Sequence, residues 1–192
     1  MSGPLDGFPA RTWPAGRALY RIHRSDRGAW WFSADGKSRF DPVHAPGIGA
    51  CYLAQEQLGA FVEVFRTRLE LDLDEDIAAR RLARVQFDHD LRLADVCSRR
   101  ALAFNVTAEV GTGGDYGLSQ KLASDAAAAG FDGVRWWVRH DPAQRLVGVA
   151  LFGAEGSRAA DTSLPEPVSR ELDDRLLNEA RRKFGYRALP RP

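Results

Sequence analysis

The chain has 192 residues, enough for one domain with a substantial core and too few for two of ordinary size. Its formal charge is only +1, with 28% charged residues, so no bulk electrostatic attraction draws it directly to nucleic acid or to an anionic membrane. Its two cysteines, Cys51 and Cys97, stand far apart without CxxC spacing, which argues against a structural zinc site or a disulfide scaffold and fits a reducing, cytoplasmic setting.

In chain order, residues 1–16 are rich in proline and glycine, lack a basic-then-apolar signal pattern, and are expected to form a loose lead-in. Ala18 to Arg24 alternates apolar and polar side chains and predicts a strand with one buried face. Trp30, Trp31 and Phe32 predict a short aromatic strand, followed by a polar turn over Ser33 to Lys37. His44 to Gly49 is a loop by composition, and it delivers Ala50 to Ala54 as a core strand. The period then changes. Leu58, Phe61, Val62 and Phe65 recur at helical spacing, with Glu63 one position off the apolar stripe, at the flank of the helix. The charged run from Glu70 to Arg84 is expected to be a solvated connector.

Asp115 can cap a helix over 116–129, which Gly130 closes at its C′ position. Val134 to Val138 predicts a strand with Val134, Trp136 and Val138 on one face. Leu146 to Phe152 predicts its hairpin partner. Beyond Gly153 the composition marks a linker. Val168, Leu172, Leu176 and Ala180 then recur at every fourth position and predict a tail helix of roughly four turns, basic in its last turn.

Phosphate-loop, dinucleotide-fingerprint, zinc-protease and nucleophile-elbow motifs are all absent. Gly111 to Gly114 reads best as a flexible turn, and the four histidines lack the spacing of metal ligands. What stands out is a set of polar residues in apolar surroundings: Arg21, Arg39, Tyr52 and Glu63. Taken singly, each has an ordinary structural explanation, as a surface strand position, a turn, core packing or a solvated helix position. Composition and period leave those alternatives open.

Order and spacing add more. Tyr20-Arg21, Arg39-Phe40-Asp41-Pro42, Tyr52-Leu53-Ala54, Phe61-Val62-Glu63-Val64-Phe65, the segment from Gly130 to Arg135 and that from Val149 to Gly153 together resemble the RES domain, a family named for its Arg, Glu and Ser. The resemblance covers about residues 18–153, giving a lead-in over 1–16, a RES domain over 17–153, and a linker with a C-terminal helix over 154–192. It implies an α+β fold like that of ADP-ribosyltransferases, a mixed β core flanked by helices, with the C-terminal helix as an addition. It also implies a toxin of a toxin–antitoxin pair that splits the nicotinamide–ribose bond of NAD⁺, passing ADP-ribose to water or phosphate. A protein ADP-ribosyltransferase and a non-catalytic NAD-binding module are the alternatives.

By position, Arg39, Tyr52 and Glu63 match the family's catalytic Arg, Tyr and Glu, and Arg21 matches an earlier, substrate-binding arginine. Glu63 would stabilise charge on the ribose. Tyr52 would stack on nicotinamide or lend its hydroxyl, and the arginines would hold the pyrophosphate. NAD⁺ is then the substrate and no separate cofactor or metal is needed. The implied partner is a helix-turn-helix (Xre-type) antitoxin, and a homo-oligomer is left open. One departure is evident: Val138 stands at the place of the family serine, with Ser119 and His140 as candidates to compensate.

Overall fold

A computed structural model describes residues 5–158 and 161–190. The first strands are β1 (Ala10–Trp13), β2 (Ala18–Arg24), β3 (Trp31–Phe32), β4 (Ile48–Ala54), β5 (Glu70–Asp72) and β6 (Arg80–Gln86). After them come β7 (Leu91–Asp95), β8 (Gly133–Trp137), β9 (Val147–Ala154), β10 (Gly156–Ser157), β11 (Val168–Arg170) and β12 (Arg187–Leu189). The helices are α1 (Gln57–Phe65), α2 (Ala108–Thr112), α3 (Gly117–Ala128) and α4 (Asp174–Phe184). Eight strands form one sheet in the order β1-β7-β8-β9-β4-β2-β6-β11, antiparallel except for the parallel pair β7–β8. This is the expected α+β architecture, a mixed sheet flanked by helices. Among the described residues no helix is long and apolar enough to cross a membrane.

The sheet is not evenly knit. β4 pairs with β9 along its whole length, from Ile48↔Ala154 to Ala54↔Gly148, and β2 pairs with β6 from Ala18↔Gln86 to Arg24↔Arg80. Between these two pairs, β2 and β4 meet only at Tyr20↔Ala54. The sheet therefore splays at its middle. Side chains alternate across it as strand geometry requires. Leu19, Cys51, Leu53, Val149 and Leu151 face one side, where they pack with Trp13, Trp30 and Phe32. Ile22 and Ala54 face the other side under α1 and α4, while Ala50, Val134, Trp136 and Ala150 face it beside α3. Two groups of helices thus share one face and leave a gap between them, over the splay.

The α1 helix, the β8–β9 hairpin and α3 lie where the sequence predicts them, and Gly130 takes the positive φ of +72° that ends α3. Other segments differ. Within the predicted lead-in, Ala10–Trp13 is an edge strand paired with β7, and Trp13 is buried. The charged run over Glu70 to Arg84 is not a solvated connector. It holds β5, a single π-helical turn (Leu73–Ala78) and much of β6, whose Leu82, Ala83 and Val85 are buried. Buried Asp76 satisfies this turn by accepting from the Asp72 backbone and pairing with Arg68 and Arg80. The tail helix is shorter than its four-residue spacing predicts. Val168 lies in β11, paired with Arg84, and α4 begins only after Asp173, whose side chain caps the Leu176 N–H at 2.9 Å. Leu172, Leu176 and Ala180 pack into the core with α1, so the tail is part of the body of the molecule.

Candidate active site

Over the splay a cleft of about 870 Å³ opens on the helical face. Among the described residues its single lining carboxylate is Glu63, against the guanidinium-bearing residues Arg21, Arg39, Arg66, Arg68 and Arg139. Tyr52, Tyr116 and Trp136 supply aromatic surface, and His140 lies at the edge. An apolar sheet floor with aromatic walls and convergent polar groups is the usual make-up of a ligand site.

Glu63 reaches the cleft because of its place on α1. Leu58, Phe61, Val62 and Phe65 are buried beneath the helix, which leaves the next position along to emerge at the flank. Its Oε1 is buried and makes no hydrogen bond. Burial raises its pKa above the ordinary carboxylate value, and the charge of Arg66, the Trp136 indole, Arg39 and the Arg139 backbone only partly offset this.

Arg39 is delivered by its neighbours. Fully buried Asp41 accepts from the Ser38 backbone at 3.1 Å and from the Tyr52 hydroxyl at 2.9 Å, and that hydroxyl accepts in turn from the Phe40 N–H at 2.9 Å. Phe40 packs on Trp136 with ring centroids 4.8 Å apart. Gly148 makes room for that indole: a Cβ there would meet the Trp136 ring at 2.4 Å. So fastened, the Arg39 guanidinium donates to the Val110 carbonyl at 3.2 Å and the Gly113 carbonyl at 2.8 Å, and lies 4.7 Å from the Tyr116 ring centre. The glycine-rich 111–114 segment, read from sequence as a flexible turn, is thereby pinned to the cleft wall. Tyr52 presents ring surface, but its hydroxyl is already committed to Asp41. Burial, and then the Asp41 charge, hold its pKa well above the usual phenol value.

The remaining sequence-selected residues differ in how they meet the cleft. Arg21 borders the base of the cleft, yet by strand alternation its side chain lies on the opposite face of the sheet from Tyr52. There it donates to the Trp31 carbonyl at 3.3 Å and contacts the Cys51 thiol. Val138 is buried in the core beside α1 and is not part of the cleft lining, so an apolar packing residue occupies the serine position. Ser119 is buried in α3, donating to the Tyr116 carbonyl at 2.9 Å, and supplies nothing to the cleft. His140 does line it.

Sequence reading missed Arg66, Tyr116, Trp136 and Arg139 as site residues. Arg139 and His140 are brought in by buried Asp141, which accepts from the backbone of Ala143, Arg145 and Leu146 at 3.1, 2.7 and 2.8 Å and folds the hairpin turn tightly. Burial first, then the charges of Arg139, Arg66 and Arg39, lower the pKa of His140 below its usual value. The imidazole is therefore neutral at pH 7, inside a positive field suited to an anion. Among the described residues, no group of three or more His, Cys, Asp or Glu side chains could hold a metal ion.

A family model described as RES domain matches residues 18–173. In structure the chain is similar to a chain of the M. tuberculosis MbcT–MbcA toxin–antitoxin complex. The TM-score is 0.67 and the identity 20%, over 93% of this chain and 95% of that one. At that identity the likeness bears on the fold. A comparison with curated proteins finds no match.

Proposed function

The chain belongs to the RES domain family, and from that premise we propose that its cleft binds NAD⁺ and breaks the bond between nicotinamide and ribose. The observation that carries this reading is one half-buried carboxylate set among cationic and aromatic side chains in a single cleft. A dinucleotide offers what such a cleft selects: a diphosphate for the guanidinium groups, flat rings for Tyr52, Tyr116 and Trp136, and a ribose that becomes cationic as nicotinamide leaves.

As the C–N bond stretches, positive charge grows on the ribose, as in glycoside cleavage. Ionised Glu63 stabilises that charge, and the low-polarity surroundings that raise its pKa also strengthen its field on the reacting carbon. Departing nicotinamide leaves with the bonding electron pair. Water or phosphate then bonds to the same ribose carbon, and neutral His140 takes the proton that water releases. The phosphate-binding role falls to Arg39, Arg66 and Arg139, because Arg21 is engaged on the other face of the sheet. Hydrogen bonds to Val110 and Gly113 fix the Arg39 fork and leave donors for a phosphate oxygen.

The biological role that fits is a toxin that drains NAD⁺, with a helix-turn-helix antitoxin covering the cleft. The test is incubation of purified protein with NAD⁺, with and without phosphate, followed by measurement of free nicotinamide. Release that disappears in Glu63→Gln supports the reading, and intact NAD⁺ after incubation with the wild-type protein refutes it. Label transferred from NAD⁺ to a protein band would instead identify an ADP-ribosyltransferase.

A further inference from the structure

Beside the cleft a second cavity, of about 300 Å³, opens at the end of β8. Its size is at the lower end of the usual range for a ligand site. Trp136, Trp137, Val138 and Arg139 all line it. Side chains of consecutive strand residues alternate between the two faces of a sheet, so a run of four meets one cavity only along the strand's edge. What β8 presents there is backbone.

Hydrogen-bond parity identifies the groups. The Val138 N–H donates to the Leu146 carbonyl at 3.0 Å, and the Phe152 N–H to the Asp132 carbonyl at 2.8 Å. Between Asp132 and Val138, then, the even-numbered residues turn their backbone groups toward β9, and the odd-numbered ones turn the other way, toward β7. The Val96 N–H accordingly donates to the Arg135 carbonyl at 3.0 Å. β7 ends at Asp95, opposite Arg135, and the chain then turns away, with the Ser98 N–H on the Asp95 carbonyl at 3.2 Å. Trp137 is the next odd-numbered residue. Its N–H and C=O point to where β7 would have continued, and no described residue pairs with either. Val106, just before α2, and Pro142, in the hairpin turn, wall the space in front of them.

A donor and an acceptor side by side between apolar walls suit a flat ring that carries an accepting nitrogen next to a donating amino group. Adenine has such an edge. The carboxamide of nicotinamide offers a similar pair, but the bond to be broken must lie by Glu63, which lines the cleft and not this cavity. The two spaces meet at Trp136 and Arg139, which line both. A diphosphate held by Arg139 can therefore join a ring in one space to a ring in the other.

We propose that the Trp137 edge is an adenine site, and that the adenine it takes is the far end of the dinucleotide whose nicotinamide end lies by Glu63. The second half rests on the NAD⁺ reading above; the first half does not.

AMP is the probe for the site itself, with no turnover needed. In amide NMR of the purified protein, the Trp137 N–H signal is expected to shift, and its hydrogen exchange to slow, as AMP binds. IMP, which has a carbonyl in place of the amino group, is expected to bind about ten-fold more weakly by calorimetry. AMP that leaves Trp137 unmoved, IMP that binds as well as AMP, or nicotinamide alone shifting the Trp137 signal overturns the adenine site. A Glu63→Gln background, which prevents turnover, then reads the source of the adenine. There AMP is expected to compete with NAD⁺, and nicotinamide mononucleotide to bind about ten-fold more weakly than NAD⁺. AMP and NAD⁺ bound together would overturn the assignment to the substrate and make this a site for a separate nucleotide. If AMP shifts Trp137 while the wild-type protein leaves NAD⁺ intact, the substrate reading falls and the adenine site stands.

Discussion

The two faces of the sheet, compared at the splay between β2 and β4, carry polar residues to opposite ends. On one face, Arg21 meets the Trp31 carbonyl and Cys51 through its Nη1, beside an aromatic cluster that includes Trp30 and Phe32. On the other, two groups of helices stand apart, and Tyr52, Arg39 and Glu63 line the space between them. Arg21 and Tyr52 look alike in sequence, each a polar interruption of an apolar strand. Parity along the strand separates them. A polar residue in a strand becomes available to a ligand only where the layer above its face is open.

Substitutions on the open face are expected to act on chemistry, and those on the closed face on stability. The largest effect belongs to Glu63→Gln, expected to slow nicotinamide release by about 10²–10³-fold, the usual loss when one electrostatic stabiliser is removed. The same change is expected to raise the melting temperature. The sign follows from linkage. The folded pKa of Glu63 lies above its ordinary value of 4.5, so the native state binds the proton more tightly, and stability falls as pH rises from 4.5 through the folded pKa. A neutral amide escapes that loss at pH 7. Thermal unfolding of both proteins at pH 7 checks the direction, and a lower melting point for the variant would contradict it.

Arg39→Lys comes next. A lysine cannot reach both the Val110 and Gly113 carbonyls, so NAD⁺ affinity is expected to fall about ten-fold or more and stability by about 1–3 kcal/mol. Calorimetry and denaturant unfolding read the two separately. Val138→Ser sharpens the comparison from inside the core. The Glu63 Oε1 has no partner, and the Arg139 backbone, next along from Val138, lies by that carboxylate. A hydroxyl at 138 is expected to speed nicotinamide release about five-fold, the worth of one hydrogen bond, while lowering stability by about 1 kcal/mol. An unchanged rate would mean that the serine position has no part in this site. The smallest effect is expected on the closed face. Arg21→Lys is expected to leave NAD⁺ affinity within about two-fold while costing about 1 kcal/mol of stability. A ten-fold loss of affinity would return Arg21 to the ligand.

Much of this was legible in the sequence because it rests on period. The stripe of α1 fixes which flank carries Glu63, and Gly130 and the β8–β9 hairpin follow from turn chemistry. β6 was hidden because Arg80, Arg81 and Arg84 make it read as solvated, although Leu82, Ala83 and Val85 between them are buried. β1 was hidden because proline and glycine on either side mask a short edge strand. Arg21 could not be placed without the register and faces of β2 and β4, which are long-range facts. Arg66 was out of reach for another reason: it stands just past the end of α1 at φ 52°, a backbone conformation that no sequence pattern announces.

The most direct test of the central claim is the rate of nicotinamide release from NAD⁺ as a function of pH, for the wild-type protein beside Glu63→Gln. Wild-type release is expected to fall as the pH drops into the range above 4.5 where Glu63 takes up its proton. The variant is expected to stay near background at every pH. Equal release by the two proteins across that range would contradict the account.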